Sequence, residues 1–338
     1  MLPQNKGERE VTFAAQDAAS WLANPRATRE TLEAFGLATK HRLGQNFLVE
    51  DNIIRKIIRL AELTSDDVVL EVGPGLGTLT VAMLDYVRAV CSIEADRELE
   101  GVLATTCKEP HQDSFVLCMG DALKATPQLV GDAYASLGVF ADAQGKEASG
   151  TLIGPNKFVS NLPYQVAATL ILLFFQEFAT LEQAVVMVQA EVADRIAAKP
   201  GTKAYGAYTA KLALYAQVSS RFEVAPGNFM PPPRVNSAVV RLERAPMTDP
   251  SGTGVLTSEQ LALATRVIDA AFAQRRKTIR NSMGASGFKK DTLERAFLAA
   301  HIEPTVRAEA LGVKDFVRLA MALAEGGAYG EETTFVHD

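Results

Sequence analysis

An apolar run, Val68 to Val72, leads directly into Gly73-Pro74-Gly75-Leu76-Gly77 and then into a helix-forming stretch, Thr78 to Tyr86. No other feature restricts the fold as tightly. Glycines after a strand let the backbone approach a ligand closely, and the helix that follows starts with its amides unpaired. The chain repeats the strand-then-helix alternation. Arg88 to Ile93 reads as a second strand ending at Glu94, and Phe115 to Met119 as a third ending at Asp121. Phe158 to Ser160 reads as a fourth and Ala184 to Val188 as a fifth. A helix from Asp51 precedes the first strand, with Ile53, Ile54, Ile57, Ile58 and Leu60 on one face, and Asp66-Asp67 breaks the pattern. Further helices follow from Val166 and through Ala198. Such alternation predicts a parallel sheet with helices on both faces.

The pattern changes after Gly201. Leu212 to Val218 and Val235 to Leu242 read as strands, and Pro250 to Gly254 as a linker. Beyond the linker the chain reads helical, with helices expected over Ser258 to Phe272, Asp291 to Ala299 and Val313 to Ala324. The expected division is an N-terminal extension over 1–38, an α/β domain over 39–246 and a smaller all-helical domain over 255–330. Within the extension, Asp17 to Leu37 has helical character broken at Pro25, compatible with an adaptor helix or a loosely ordered arm. Gly131 to Asn156 is rich in glycine, alanine and serine and is expected to include an inserted loop.

Composition sets a few bounds. Hydrophobic residues make up 48%, too many for a largely disordered chain. The net charge of −6 argues weakly against a polyanionic partner, although a local basic face can hide inside a global sum. Cys91, Cys107 and Cys118 show no metal-ligand or CxxC spacing. Cys91 and Cys118 sit in apolar runs and read as core residues, which fits a reducing, cytoplasmic setting. The polar start of the chain lacks the apolar stretch of a signal peptide. No run approaches the roughly 18 apolar residues of a membrane span. Four scattered histidines, His41 and His301 among them, do not make a metal site.

The glycine loop admits two cofactors. A dinucleotide fingerprint needs a third glycine at the position where this chain has Thr78. With Glu71 just before the loop, the pattern better suits S-adenosylmethionine, a cation without a phosphate. Glu94 follows at about the 20-residue spacing of a carboxylate that grips ribose hydroxyls. Asp121, ending the third strand, is placed to accept the exocyclic N–H of the cofactor's adenine. All three features fall at the carboxyl ends of strands, where open α/β sheets bind ligands.

The fourth strand ends in Asn161-Leu162-Pro163-Tyr164. Asn161 offers an amide oxygen, and Pro163 keeps Leu162 extended, with its carbonyl aimed outward. Tyr164 adds a flat ring. Two acceptors beside a stacking surface suit a base bearing an NH₂ group. The N6 lone pair of adenine is delocalised into its ring. Accepting both N–H bonds favours a pyramidal nitrogen whose lone pair can attack a methyl sulfonium. The bland alternative is a strand-ending turn with a core tyrosine.

With these residues in hand, the chain resembles the ribosomal RNA small subunit methyltransferase A family, the S-adenosylmethionine-dependent adenine dimethyltransferases. The resemblance runs from about Lys40 to Ala324. It rests on HRLGQNFL (His41 to Leu48), EVGPGLGTLT, SIEAD, GDAL, NLPY, KAYG (Lys203 to Gly206), FMPPPRVNSAVVRL (Phe229 to Leu242) and QRRKTIRNSM (Gln274 to Met283), in that order. It implies a Rossmann-like methyltransferase sheet with a smaller helical C-terminal domain. Asn46 and Leu48 are implied to contact the cofactor, Gly73 to lie beneath its methionine part, Glu94 to hold its ribose and Asp121 its adenine. Asn161 would touch the cofactor and, with Leu162, the target amine, while Tyr164 and Phe229 would stack on a flipped adenine. The implied reaction is dimethylation of two adjacent adenosines in the 3′-terminal hairpin of 16S rRNA in the small ribosomal subunit, by a monomer. The arm before Lys40 and the 131–156 segment exceed the family pattern without touching its motif residues.

Local charge is consistent with an RNA partner. Gln274 to Lys290 carries Arg275, Arg276, Lys277, Arg280, Lys289 and Lys290 with no acid between. Arg42, Arg55, Lys56 and Arg59 extend the candidate footprint. The alternative is a solvated helix face. Two rival functions stay open at this point. One is a large-subunit adenine methyltransferase of the erythromycin-resistance type, which shares the catalytic motifs. The other is a non-catalytic ribosome-assembly factor.

Overall fold

The computed structural model describes residues 19–37, 46–139, 153–252 and 254–325. The first half holds α1 (Pro25–Ala34), β1 (Phe47–Leu48), α2 (Asp51–Ala61), β2 (Val68–Val72), α3 (Thr78–Leu84), β3 (Ala89–Glu94), α4 (Glu100–Leu103), β4 (Phe115–Met119) and α5 (Pro127–Ser136). Next come β5 (Lys157–Asn161), α6 (Ala167–Glu177), β6 (Gln183–Gln189), α7 (Ala190–Ile196), α8 (Ala207–Leu212), β7 (Ala216–Val224), β8 (Phe229–Met230) and β9 (Ser237–Arg244). The chain then runs through α9 (Ser258–Phe272), α10 (Ile279–Ala285), α11 (Lys290–Ala299) and α12 (Val313–Glu325).

Seven strands form one sheet in the order β4-β3-β2-β5-β6-β9-β7. β4, β3, β2, β5 and β6 are parallel, and β9 and β7 add an antiparallel edge. Period-two alternation sends neighbouring side chains to opposite faces. Val69 packs with α2 and α3 residues such as Ile54, Ile57, Leu79 and Met83. Leu70 packs on the other face with Val130 of α5 and Phe174 of α6. Every residue of β2 is buried, as a parallel strand covered on both faces requires. Phe174 centres the second face, 4.9 Å from Phe158 and 5.2 Å from Phe178 between ring centroids. Such tilted pairs add about 0.5–1.5 kcal/mol beyond buried area. A third apolar cluster gathers α9 to α12 together with Tyr205, Ala210 and Leu214.

The chain winds from β2 out to β4 and then returns to place β5 on the other side of β2. That reversal is the topological switch point, where a crevice opens beyond the strand ends. The β2–β5 ladder pairs only Val69 with Lys157 and Leu70 with Phe158. Above it the Ser160 hydroxyl donates to the Val72 carbonyl at 2.5 Å and lies 3.3 Å from its amide. A side chain thus replaces the ladder where the two strands diverge.

Several sequence expectations need correction. Pro25 starts α1 rather than breaking it, with Asn24 Oδ1 accepting the Ala27 amide at 2.8 Å. A missing N–H costs nothing in a first turn. Ala23 and Leu32 pack into the α2–α3 side of the core, so 19–37 is a docked segment that carries α1, while residues 1–18 lie outside those described. The strand expected from Leu212 begins at Ala216, because Leu212 closes α8. The strand expected from Val235 begins at Ser237, and Val235 is exposed. The helix α10, inside the basic stretch, was not resolved from its neighbours in the sequence; Thr278 caps it. The inserted loop expected in 131–156 begins later than its sequence suggests, since α5 runs through Ser136; residues 140–152 lie outside those described.

Candidate active site and RNA-facing surface

The switch point brings the two singled-out segments into contact. Gly73 has φ +68°, and a Cβ there would lie 3.1 Å from Pro163 Cγ. The glycine is therefore required twice, for its left-handed backbone and for the closeness of the Asn161–Tyr164 segment. On the other side, Phe47 of β1 packs over Gly75. β1 is held there by antiparallel pairing with β8, Phe47 opposite Met230 and Leu48 opposite Phe229. These segments, with the ends of β3 and β4, enclose one cavity.

Its walls include Asn46, Leu48, Gly73, Glu94, Asp121, Asn161, Leu162 and Tyr164, so the structure gathers eight expected site residues around one space. Glu94 is 7% exposed; its Oε1 accepts the Asp96 amide at 2.9 Å and its Oε2 the Gly75 amide at 3.4 Å. Burial raises its pKa despite these bonds. Asp121 is exposed, and its Oδ1 accepts the Leu123 amide at 3.0 Å. Its second oxygen has no partner among the described residues. Asn161 Nδ2 donates to the Asn46 carbonyl at 3.4 Å, which leaves Oδ1 as the amide's acceptor. The Leu162 amide donates to the Met187 carbonyl at 3.1 Å, while the Leu162 carbonyl accepts no backbone bond among the described residues. Tyr164 meets Ser237 Oγ through its hydroxyl at 2.6 Å, and burial raises its pKa, keeping the phenol neutral.

Phe229 is placed differently. It is 3% exposed, opposite Leu48 in the β1–β8 pair, and is not part of the cavity wall. Other wall residues were not singled out from the sequence. Asp96, at the end of the SIEAD motif, is one, and Gln165 is another. Glu71 is 2% exposed and receives the hydroxyls of Thr80 and Ser92 on one oxygen, each at 2.7 Å. Burial pushes its pKa up to about 7, against those two bonds.

The charge of the cavity discriminates between cofactors. Glu71, Glu94, Asp96 and Asp121 line it, and among the described residues no Lys, Arg or His does. A pyrophosphate would meet the carboxylates of Glu94, Asp96 and Asp121 and a partly protonated Glu71, with no cation among the described wall residues. A sulfonium with an ammonium group is attracted by the same set. The residues present therefore fit S-adenosylmethionine. Among the described residues, no group of three or more His, Cys, Asp or Glu is placed to hold a metal ion. Among those residues, too, no helix is long and apolar enough to cross a membrane.

The basic stretch divides by role. Arg275 donates to the Lys203 carbonyl at 2.7 Å and pairs with Glu309 at 3.4 Å, tying the Lys203–Gly206 loop to the C-terminal helices. Arg280 pairs with Glu294 at 2.8 Å. Arg276 and Lys277 are exposed in the turn between α9 and α10 and their side chains have no partner among the described residues, and Lys289 and Lys290 are exposed at the start of α11. Arg55 pairs with Asp51 at 2.7 Å, and Lys56 lies 5.9 Å over the Phe222 ring. Arg42 lies outside the described residues.

Comparison with known proteins agrees with this geometry. Residues 36–325 match the ribosomal RNA adenine dimethylase family. The chain is 38% identical to a ribosomal RNA small subunit methyltransferase A of Kineococcus radiotolerans, across 93% of this chain and 95% of that protein. It is 39% identical to the protein of that name in Acidothermus cellulolyticus, across 87% and 92%. Among solved structures, a dimethyladenosine transferase from Plasmodium falciparum superposes with a TM-score of 0.62 at 22% identity, over 82% of this chain and 96% of that one. The 23S rRNA methyltransferase ErmE superposes with a TM-score of 0.57 at 23% identity, over 82% and 100%. These two share the Rossmann-like methyltransferase fold. With a match that spans the sheet, the cavity and the C-terminal helices, the chain belongs to the ribosomal RNA adenine dimethylase family.

Proposed function

We propose that this protein is an S-adenosylmethionine-dependent enzyme that dimethylates the N6 amines of two adjacent adenosines in the 3′-terminal hairpin of 16S rRNA, within the small ribosomal subunit. The observation that carries the reading is the pair of open acceptors, Asn161 Oδ1 and the Leu162 carbonyl, on the wall of a cation-attracting cavity. Small-subunit rather than large-subunit RNA is favoured by the names of the relatives that align with nearly the whole chain.

When bound, S-adenosylmethionine supplies an electrophilic methyl group. Glu94 and Asp121 would hold its ribose and adenine, Gly73 would lie beneath its methionine part, and Asn46 and Leu48 would contact it. The target adenine must leave its stack to reach the cavity, as it does in enzymes that act on a base. Tyr164 then receives the flipped ring; stacking of this kind is worth about 1–3 kcal/mol per base. Asn161 Oδ1 and the Leu162 carbonyl would accept hydrogen bonds from the two N6 N–H groups and present the nitrogen lone pair, so that the N–C bond forms as the methyl C–S bond breaks and the neutral thioether leaves. The nitrogen becomes acidic once alkylated and loses one proton to water for each methyl group gained, so no strong base is required. In this reading the 255–330 region and the unpaired cations Arg276 and Lys277 contact RNA phosphates. The protein acts as a monomer in the cytoplasm and takes part in small-subunit biogenesis.

The test is transfer of labelled methyl groups to unmethylated small subunits, to large-subunit RNA and to duplex DNA in parallel. Label only in the small-subunit reaction is expected. Label in the large-subunit RNA instead would assign the chain to the erythromycin-resistance type of reaction.

A further inference from the structure

Ser237 has no role in the scheme so far. It opens β9, is fully buried, and faces Gln189 of β6 and Val224 of β7. Among the described residues its hydroxyl has one hydrogen-bond partner, the Tyr164 hydroxyl 2.6 Å away. That phenol belongs to the ring on the cavity wall. The other end of Tyr164 is also fixed. Leu162 donates to the Met187 carbonyl at 3.1 Å, and the Val166 amide closes a turn on the Pro163 carbonyl at 3.2 Å. A tyrosine ring turns about two side-chain torsions. With its backbone held by β6 and its hydroxyl held by β9, the first torsion and hence the ring axis are fixed. The phenol oxygen lies on the axis of the second torsion, so the ring plane is favoured through the preference of a phenol hydrogen bond to lie in the plane of the ring.

We propose that Ser237 is a positioning residue: its hydroxyl fixes the Tyr164 ring in the orientation on which the target adenine stacks. The proposal rests on the adenine-methyltransferase reading above. The physical gain is preorganisation, since a ring already aligned loses no further freedom when the base arrives. It also ties the NSAVV segment to the reaction, because Ser237 is the residue of that segment whose side chain reaches the Asn161–Tyr164 turn.

The test compares Ser237→Ala, Ser237→Thr, Tyr164→Phe, Tyr164→Ala and the double variant Ser237→Ala/Tyr164→Phe. The readouts are kcat and KM on unmethylated small subunits, Kd for S-adenosylmethionine, and Tm. Losing one orienting hydrogen bond is expected to lower kcat about tenfold in Ser237→Ala and in Tyr164→Phe. Cofactor Kd stays unchanged, the double variant is no worse than either single one, and Ser237→Thr restores the rate. Deficits that multiply in the double variant would overturn the proposal, as would a Ser237→Ala enzyme that loses Tm but keeps kcat. Tyr164→Ala separates the two levels. If it retains full kcat, the stacking reading fails and the proposal with it. If it is inactive while Ser237→Ala turns over normally, only the positioning role is lost.

Discussion

The Glu94 carboxylate, at the end of β3, accepts the Gly75 amide of the neighbouring loop at 3.4 Å. The acid expected to hold the cofactor therefore also holds the loop on which the cofactor rests. Glu94→Gln keeps the size of the side chain and removes its charge. Hydrogen bonds to a charged group contribute about 1.5–3 kcal/mol each. Binding of S-adenosylmethionine should weaken roughly 10- to 100-fold by calorimetry, with Tm little changed.

Glu71 should make stability depend on pH. Its folded pKa of about 7 lies above the ordinary 4.5, so the folded chain holds this proton more tightly than the unfolded chain. The contribution is fully present below about pH 4.5 and is lost as pH rises through about 7. Its span is up to about 3 kcal/mol. In Glu71→Gln the amide oxygen can still accept from Thr80 and Ser92. Denaturant unfolding across this range should show a wild-type slope that the variant lacks, with the variant the more stable above pH 7.

Gly77 immediately precedes α3 at φ +90°, and a Cβ there would collide with Cys107 Sγ. Gly77→Ala should cost at least about 2 kcal/mol from left-handed backbone and overlap together. Cys107→Ala removes the obstructing sulfur. The double variant should be less destabilised than the sum of the two single ones, measured by thermal or urea unfolding.

Arg276 and Lys277 should carry RNA binding without carrying the fold. Replacing both with alanine is expected to reduce the slope of log K against log salt by about 1.4–1.8, two phosphate contacts. Arg275→Ala should instead lower Tm, because it frees the Lys203–Gly206 loop from the C-terminal helices. A fluorescence-anisotropy salt series with a 3′-terminal hairpin RNA, paired with a melting curve, separates the two effects.

What the sequence disclosed follows from the range of each signal. The β2 loop was visible because glycine spacing and strand length are local, and the acids ending β3 and β4 could be counted from it. β7 was misplaced because it is an edge strand with mixed exposure, so Gln217, Ser219, Ser220 and Glu223 blur its alternation. β1 and β8 are two residues each, too short for any period, and exist only because they pair across the fold. Ser237 was hidden because its partner lies 73 positions away. The basic stretch looked uniform because counting charge along the chain cannot see Glu309 and Glu294 folding back onto Arg275 and Arg280.

The most direct measurement is nucleoside mass spectrometry of RNA from unmethylated small subunits, after reaction with S-adenosylmethionine and either the wild-type chain or Asn161→Ala. N6,N6-dimethyladenosine with the wild type, and a loss of at least about a hundredfold in the variant that still binds cofactor, is the expected result. Dimethyladenosine formed equally well by Asn161→Ala, or none formed by a wild-type chain that binds the subunit, would contradict the assignment.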